Sequence, residues 1–295
     1  MRYTIENEAL SVTVDSKGAE LVSVVNKATG AEMMWDGQKE VWSRHAPILF
    51  PYCGRLKDGQ YTLDGQRYEG GPHGFARDLE HTFLGAEGNR MGFVLRSDER
   101  TLARFPRPFA LESVFTLEGN TLRQTITVTN LGTEELRFGL GFHPAFALPF
   151  DDAHTTADYE FRFDTPQTPV VIETGAATGL VTGETRVLME KRAVIPMGDR
   201  MFDHDSICLS RLSAKELSVV EKDTGRKVTV ALEGFPYTLL WSAPGNPALH
   251  FVCIEPWHSL PDRADASGAW SEKPCAAVLG PGERWSTELK LTFAR

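Results

Sequence analysis

The chain reads as all-β, a large antiparallel β-sandwich, and three observations predict this. Apolar residues recur at every second position in most segments. Turn residues (Gly, Pro, Asn, Asp) separate these segments at intervals of roughly 8 to 15 residues, the spacing of sheet-rich sandwiches. No segment keeps an i, i+3, i+4, i+7 apolar stripe for three helical turns.

Taken in order, MRYTIENEALSVTV alternates polar and apolar residues and is expected to be a first strand rather than a signal peptide. Tyr61–Leu63 and the run ending at Tyr68 flank Asp64-Gly65, a dipeptide that tolerates the positive φ angles of a tight hairpin. Ala110–Leu117 is expected to turn at Glu118-Gly119-Asn120 and return as Leu122–Thr129, rich in β-branched residues. Lys227–Leu232 breaks at Gly234, and Tyr237–Trp241 stops at Pro244-Gly245. His250–Ile254 has the unbroken apolar character of a strand buried on both faces. The last strand alternates from Trp285 to Phe293. The stretch 150–200, with Pro166, Pro169 and Pro196, has the least pattern and is read as excursions of the same domain. A short helical piece is expected near Lys215, and residues 1–295 are taken as one domain.

Bulk properties exclude several classes of function. With 295 residues, 41% hydrophobic and 24% charged, the composition is that of a globular protein able to bury a substantial core. The net charge of −9 offers no footprint for phosphate backbones or anionic lipid, so neither nucleic acid nor membrane is an expected partner. Cys53, Cys208, Cys253 and Cys275 form no CxxC pair and read as reduced thiols rather than a disulfide frame or zinc clip. No apolar run approaches the roughly 18 residues that cross a bilayer. A soluble cytoplasmic protein is the expectation, as a monomer or homodimer.

Three segments set titratable side chains beside residues that constrain the backbone. They are Gly71-Pro72-His73-Gly74-Phe75-Ala76-Arg77-Asp78, Gly141-Phe142-His143-Pro144 and Ile254-Glu255-Pro256-Trp257-His258. Each places its His or Glu at a strand end or in a loop, where a rigid sheet commonly presents function. Proline restricts the residue before it, so His143 and Glu255 are expected in extended conformation. Residue types alone permit two readings. His73, His143 and Glu255 suit acid–base chemistry near neutral pH, and they also suit a two-histidine, one-carboxylate metal site. Each histidine taken alone is more ordinarily a hydrogen-bonded structural residue.

The order of motifs carries a resemblance. Arg55 followed by the hairpin Gly59-Gln60-Tyr61-Thr62-Leu63-Asp64-Gly65, then His73-Gly74-Phe75, then Gly141-Phe142-His143-Pro144, then Glu255-Pro256-Trp257, resembles the aldose 1-epimerase (mutarotase) family across nearly the whole chain. The resemblance implies the β-sandwich of the galactose mutarotase type and interconversion of α and β sugar anomers. It implies Glu255 as general base, His143 as general acid, His73 as a support near the ring oxygen, and Arg55 as a hydroxyl ligand. A further sugar-binding carboxylate is implied in Met201-Phe202-Asp203-His204-Asp205, where the register allows Asp203 or Asp205. Trp257 is an aromatic candidate for the sugar face, as are Phe75 and Phe146, although aromatics in a sandwich are more often core. The form His73-Gly74-Phe75-Ala76-Arg77-Asp78 departs from the best-known galactose pattern and is closer to a bacterial branch and to hexose-6-phosphate epimerases. Arg77 is read either as an ion-pair partner of Asp78 or Glu80, or as a ligand for a substrate phosphate. No cofactor is expected: the reaction needs only proton transfers, and the chain has no GxGxxG after a strand, no P-loop and no HExxH. The alternatives are a hexose-6-phosphate 1-epimerase and a non-catalytic sugar-binding protein on the same fold.

Overall fold

The computed structural model describes residues 1–245 and 248–294, and these are almost entirely strand and turn. Two large antiparallel sheets face each other. The nine-stranded sheet runs in the order Arg192–Pro196, Tyr159–Gln167, Glu216–Glu221, Lys227–Ala231, Arg284–Ala294, Thr121–Asn130, Phe109–Glu118, Arg90–Arg96 and Thr82–Glu87. The eight-stranded sheet runs Val181–Val187, Val170–Thr174, Ile207–Ser210, Tyr237–Trp241, Phe251–Trp257, Gly141–Phe142 and Ile48–Leu49, with Ala145–Ala147 also paired to Phe251–Trp257. This is the expected β-sandwich.

Alternation builds the core. In Thr121–Asn130 every second residue is buried, so Leu122, Ile126 and Val128 point inward beside Leu111 and Phe115 of the neighbouring strand. Leu209, Leu240, Val252 and Ile254 meet them from the opposite sheet. Burial of this apolar surface, at about 25 cal/mol per Å², is the main favourable term of folding. The buried polar groups Gln124 and Ser113 satisfy each other across adjacent strands at 3.2 Å.

The eight-stranded sheet is covered on its other face too. There two smaller clusters lie apart, one of Leu49, Cys53, Val181, Cys208, Leu239, Trp257 and Leu260, the other of Trp35, Ala145, Ala243, Phe251 and Cys253. Phe251–Trp257 is therefore buried at every residue, as its unbroken apolar run predicts.

Local expectations hold with four differences, the first being that the opening segment is not one strand but two, Arg2–Glu6 and Leu10–Asp15, paired antiparallel in a separate four-stranded sheet because residues 7–9 turn the chain. The Asp64-Gly65 turn has positive φ at both residues (51° and 76°), the geometry of a two-residue type I′ hairpin. The unpatterned stretch 150–200 supplies strands to both large sheets, and Val181–Val187 escapes pattern reading because six of its seven residues are exposed on an edge. No helix forms near Lys215, since Leu217–Val220 is committed to a central strand. The one α-helix among the described residues is Glu99–Leu102, started by an Asp98–Thr101 capping box. Finally, Glu255 lies inside its strand rather than at its end.

Candidate active site

Register explains why His143 meets Glu255. Gly141 pairs with Trp257 and Ala145 pairs with Cys253, so the same register sets His143 opposite Glu255. Between those pairs the ladder is interrupted, and Pro144 and Pro256, which have no N–H to donate, sit in the interruption. Directly opposed residues on one sheet face come close enough for side chains to touch. His143 Nε2 lies 3.3 Å from Glu255 Oε2, and both side chains are nearly inaccessible (8% and 2%). The geometry does not make a hydrogen bond, and Glu255 Oε2 and His143 Nδ1 are buried without a partner.

The pair forms the floor of a cavity of about 230 Å³. Loops bring the rest of the wall. His73 adopts a left-handed backbone (φ 66°) and is locked by Gly54: its N–H donates to the Gly54 carbonyl, and its Nδ1 accepts from the Gly54 N–H at 3.1 Å. A neutral imidazole that accepts at Nδ1 carries its proton on Nε2, so His73 is a fixed donor. Its ring stands edge-on to His143 and Trp257, at 5.7 and 5.5 Å. Arg55 reaches the rim, where its carbonyl accepts from the Asp262 N–H. Asp262 also accepts from the Lys57 N–H and pairs with Lys273 at 2.6 Å, and both members of that pair are buried.

The structure separates the two aspartates. Asp205 lines the cavity and accepts from the Trp241 indole at 2.8 Å. Asp203 is exposed and binds Arg200, outside the wall. Trp257 lines the cavity, whereas Phe75 and Phe146 belong to the core.

Arg77 corrects an expectation. Asp78 bonds Arg44 instead, at 2.6 Å, and among the described residues no carboxylate lies within ion-pair range of Arg77. Its Nη2 donates to the Pro72 carbonyl, its Nε is buried without a partner, and the side chain lines the cavity. Sequence reading also missed Trp42 and Trp241. Trp42 stacks on His143 (4.9 Å, 25°) and Trp241 meets it edge-on. No local signal marks either, since both were ordinary aromatics in the chain.

Burial dominates the electrostatics. It pushes the Glu255 carboxyl well above the usual range, with Asp205 adding to the rise and the Trp257 indole opposing it. It pulls His143 down to about 3, helped by the Arg77 charge. His73 also falls well below 6.5, for the same two causes. Together these directions put the pair's single proton on the carboxyl. Arg77 is itself lowered to about 10 by burial and by Arg44.

A buried carboxylate–imidazole couple, lining a cavity with mixed polar and apolar walls, defines a class of site suited to a small polar ligand. The aldose 1-epimerase family model matches residues 1–292, and the chain belongs to that family. It is similar to the galactose mutarotase related enzyme of Lactobacillus acidophilus (31% identity, TM-score 0.94), with 100% of this chain and 98% of that one covered. A galactose mutarotase-like protein of Lactobacillus casei is 27% identical with TM-score 0.91, all of both chains being covered. Chromosomal protein LacX of Lactococcus lactis is 29% identical over 288 residues, 95% of each chain. Among the described residues, no helix is long and apolar enough to cross a membrane.

Proposed function

We propose that this protein catalyses anomer exchange at C1 of a hexose. The observation that carries the reading is the buried His143–Glu255 contact, with an unpartnered carboxylate oxygen, between two residues that line the cavity. Glu255 takes the proton of the C1 hydroxyl as His143 gives one to the ring oxygen O5. The C1–O5 electron pair leaves with O5, and a carbonyl forms at C1. Rotation about C1–C2 and reversal of both transfers close the ring on the other face. Each positioned group contributes about 10²–10⁴-fold.

The pair's proton distribution fits a stage of this cycle. A proton on Glu255 and a neutral His143 is the state that accompanies the open-chain aldehyde. When the closed sugar binds, its C1 hydroxyl donates to the carboxylate and favours the ionised form, with the proton on His143. His73 supplies a fixed donor near the ring oxygen, and Arg55 and Asp205 bind hydroxyls. The presence of a complete acid–base couple favours this reading over a sugar-binding protein that has no turnover.

A second reading, a hexose-6-phosphate 1-epimerase, is favoured by Arg77, a cavity-lining guanidinium without a carboxylate partner. Anomer exchange followed by NMR across free and phosphorylated aldoses tests both. Exchange on neither class, above the spontaneous rate, removes the proposal.

A further inference from the structure

We infer that a thiophilic divalent cation, with zinc as the natural case, binds between His143, Cys253 and Glu255 and thereby blocks the acid–base pair; the inhibition rests on the function proposed above, the binding does not. Residue types alone permitted a metal site of His73, His143 and Glu255, although none was expected; the donor atoms that the structure gathers are those of His143, Cys253 and Glu255.

The placement follows from strand geometry. Cys253 and Glu255 are two residues apart on Phe251–Trp257 and so share one face of the sheet. His143 stands opposite Glu255 across the interrupted ladder. One donor atom from each of the three lies within 4.8 Å of the others. In a tetrahedral zinc site, bonds of about 2.0–2.2 Å to nitrogen and oxygen set those donors about 3.4 Å apart. His143 Nε2 and Glu255 Oε2 are already 3.3 Å apart. With a bond of about 2.3 Å to sulfur, the thiolate belongs about 3.6 Å from each, so it needs to close by roughly 1.2 Å at most.

A second observation points to a ligand. Glu255 is 1% exposed, its Oε2 has no hydrogen-bond partner, and the residue lines the cavity. Three protein donors leave a fourth tetrahedral position for water from the cavity side. The imidazole–thiolate–carboxylate set selects zinc or cadmium and rejects magnesium and calcium, which take all-oxygen shells. Coordination displaces the thiol proton and any proton on Glu255, and no other bond changes. Asp205 adds negative charge nearby and Arg77 and Arg44 oppose it, while burial and Glu255 push the Cys253 thiol up, a cost that the metal–sulfur bond offsets on binding.

The test titrates the full-length protein with cadmium, reading the near-ultraviolet cadmium–thiolate absorption, and with zinc, reading anomer exchange and calorimetric binding. One equivalent of cadmium is expected to raise the thiolate band, and zinc to suppress exchange with the same stoichiometry, while magnesium does neither. Cys253→Ser should keep metal-free exchange, lose the band and weaken zinc binding about 100-fold. Cys253→Ala gives a second reading of the same loss. Cys275→Ser, which alters the half-buried thiol elsewhere, should keep the band. Binding without a thiolate band, or undiminished in both Cys253 variants, overturns the site. If the band appears but no sugar is turned over, the functional reading fails and the metal site stands.

Discussion

Glu255 is a carboxyl held between two apolar clusters, where its charged form is disfavoured. Its retention costs stability, and the proposed chemistry uses what it costs. Glu255→Gln is therefore expected to lower kcat for anomer exchange by about 10²-fold or more, while the unfolding temperature stays level or rises. His143→Ala should lose activity comparably. Near-normal turnover in either variant, measured by polarimetry, removes the assigned roles. Arg77 invites a different measurement. Arg77→Ala should lower kcat/KM for a hexose 6-phosphate at least about tenfold more than for the matched free hexose, because a guanidinium's fork suits bidentate phosphate contact. Equal losses on both substrates eliminate the phosphate reading. Most of these residues were legible in the sequence because proline and glycine flank them. The choice between Asp203 and Asp205 was not, since it depends on which carboxylate the indole of Trp241 captures from another strand.

Two elements differ in how they were readable. The Asp64-Gly65 hairpin needs only its own turn chemistry, so its register followed from the sequence. Glu255 was expected at a strand end because proline ordinarily stops a central strand. Its position inside Phe251–Trp257 depends on a matching break between Gly141 and Ala145 in the partner, more than a hundred residues away. The loop carrying His73 is equally specific. Gly74 has φ 70°, and a Cβ there would lie 2.2 Å from the Phe50 carbonyl oxygen. Gly74→Ala should destabilise the fold by at least about 2 kcal/mol and displace His73. A variant with unchanged denaturation midpoint and KM contradicts that account.

At the scale of the molecule, two histidines outside the cavity, the buried His81 and the half-buried His258, tie stability to pH. His81 is 3% exposed, its Nδ1 has no partner, and burial lowers it to about 4. His258, hydrogen-bonded to Thr287, is lowered to about 4 for the same reason. The native state holds both neutral, so their stabilisation is complete above the unfolded value of about 6.5 and is lost as pH falls towards 4. For His81 the difference corresponds to about 3 kcal/mol. The wild-type melting temperature should drop across this window, and less steeply in His81→Gln; parallel curves overturn the assignment. Core packing sets a separate scale: Phe115→Ala should cost about 3–5 kcal/mol, read from chemical denaturation.

The broken ladder has one more consequence. Because Glu255 belongs to an interior strand and His143 to the short break between two strands paired with it, while Arg55, His73, Arg77 and Asp205 arrive on connecting segments, the proposed reactive pair and the wall around it are expected to respond differently to substitution. Under the proposed function, changes in the segments carrying Arg55 and Asp205 should alter which sugar is admitted while leaving the strand that holds Glu255 in place. Glu255 itself should stay in place for as long as its interior strand does, so its burial should be lost only with the tertiary structure.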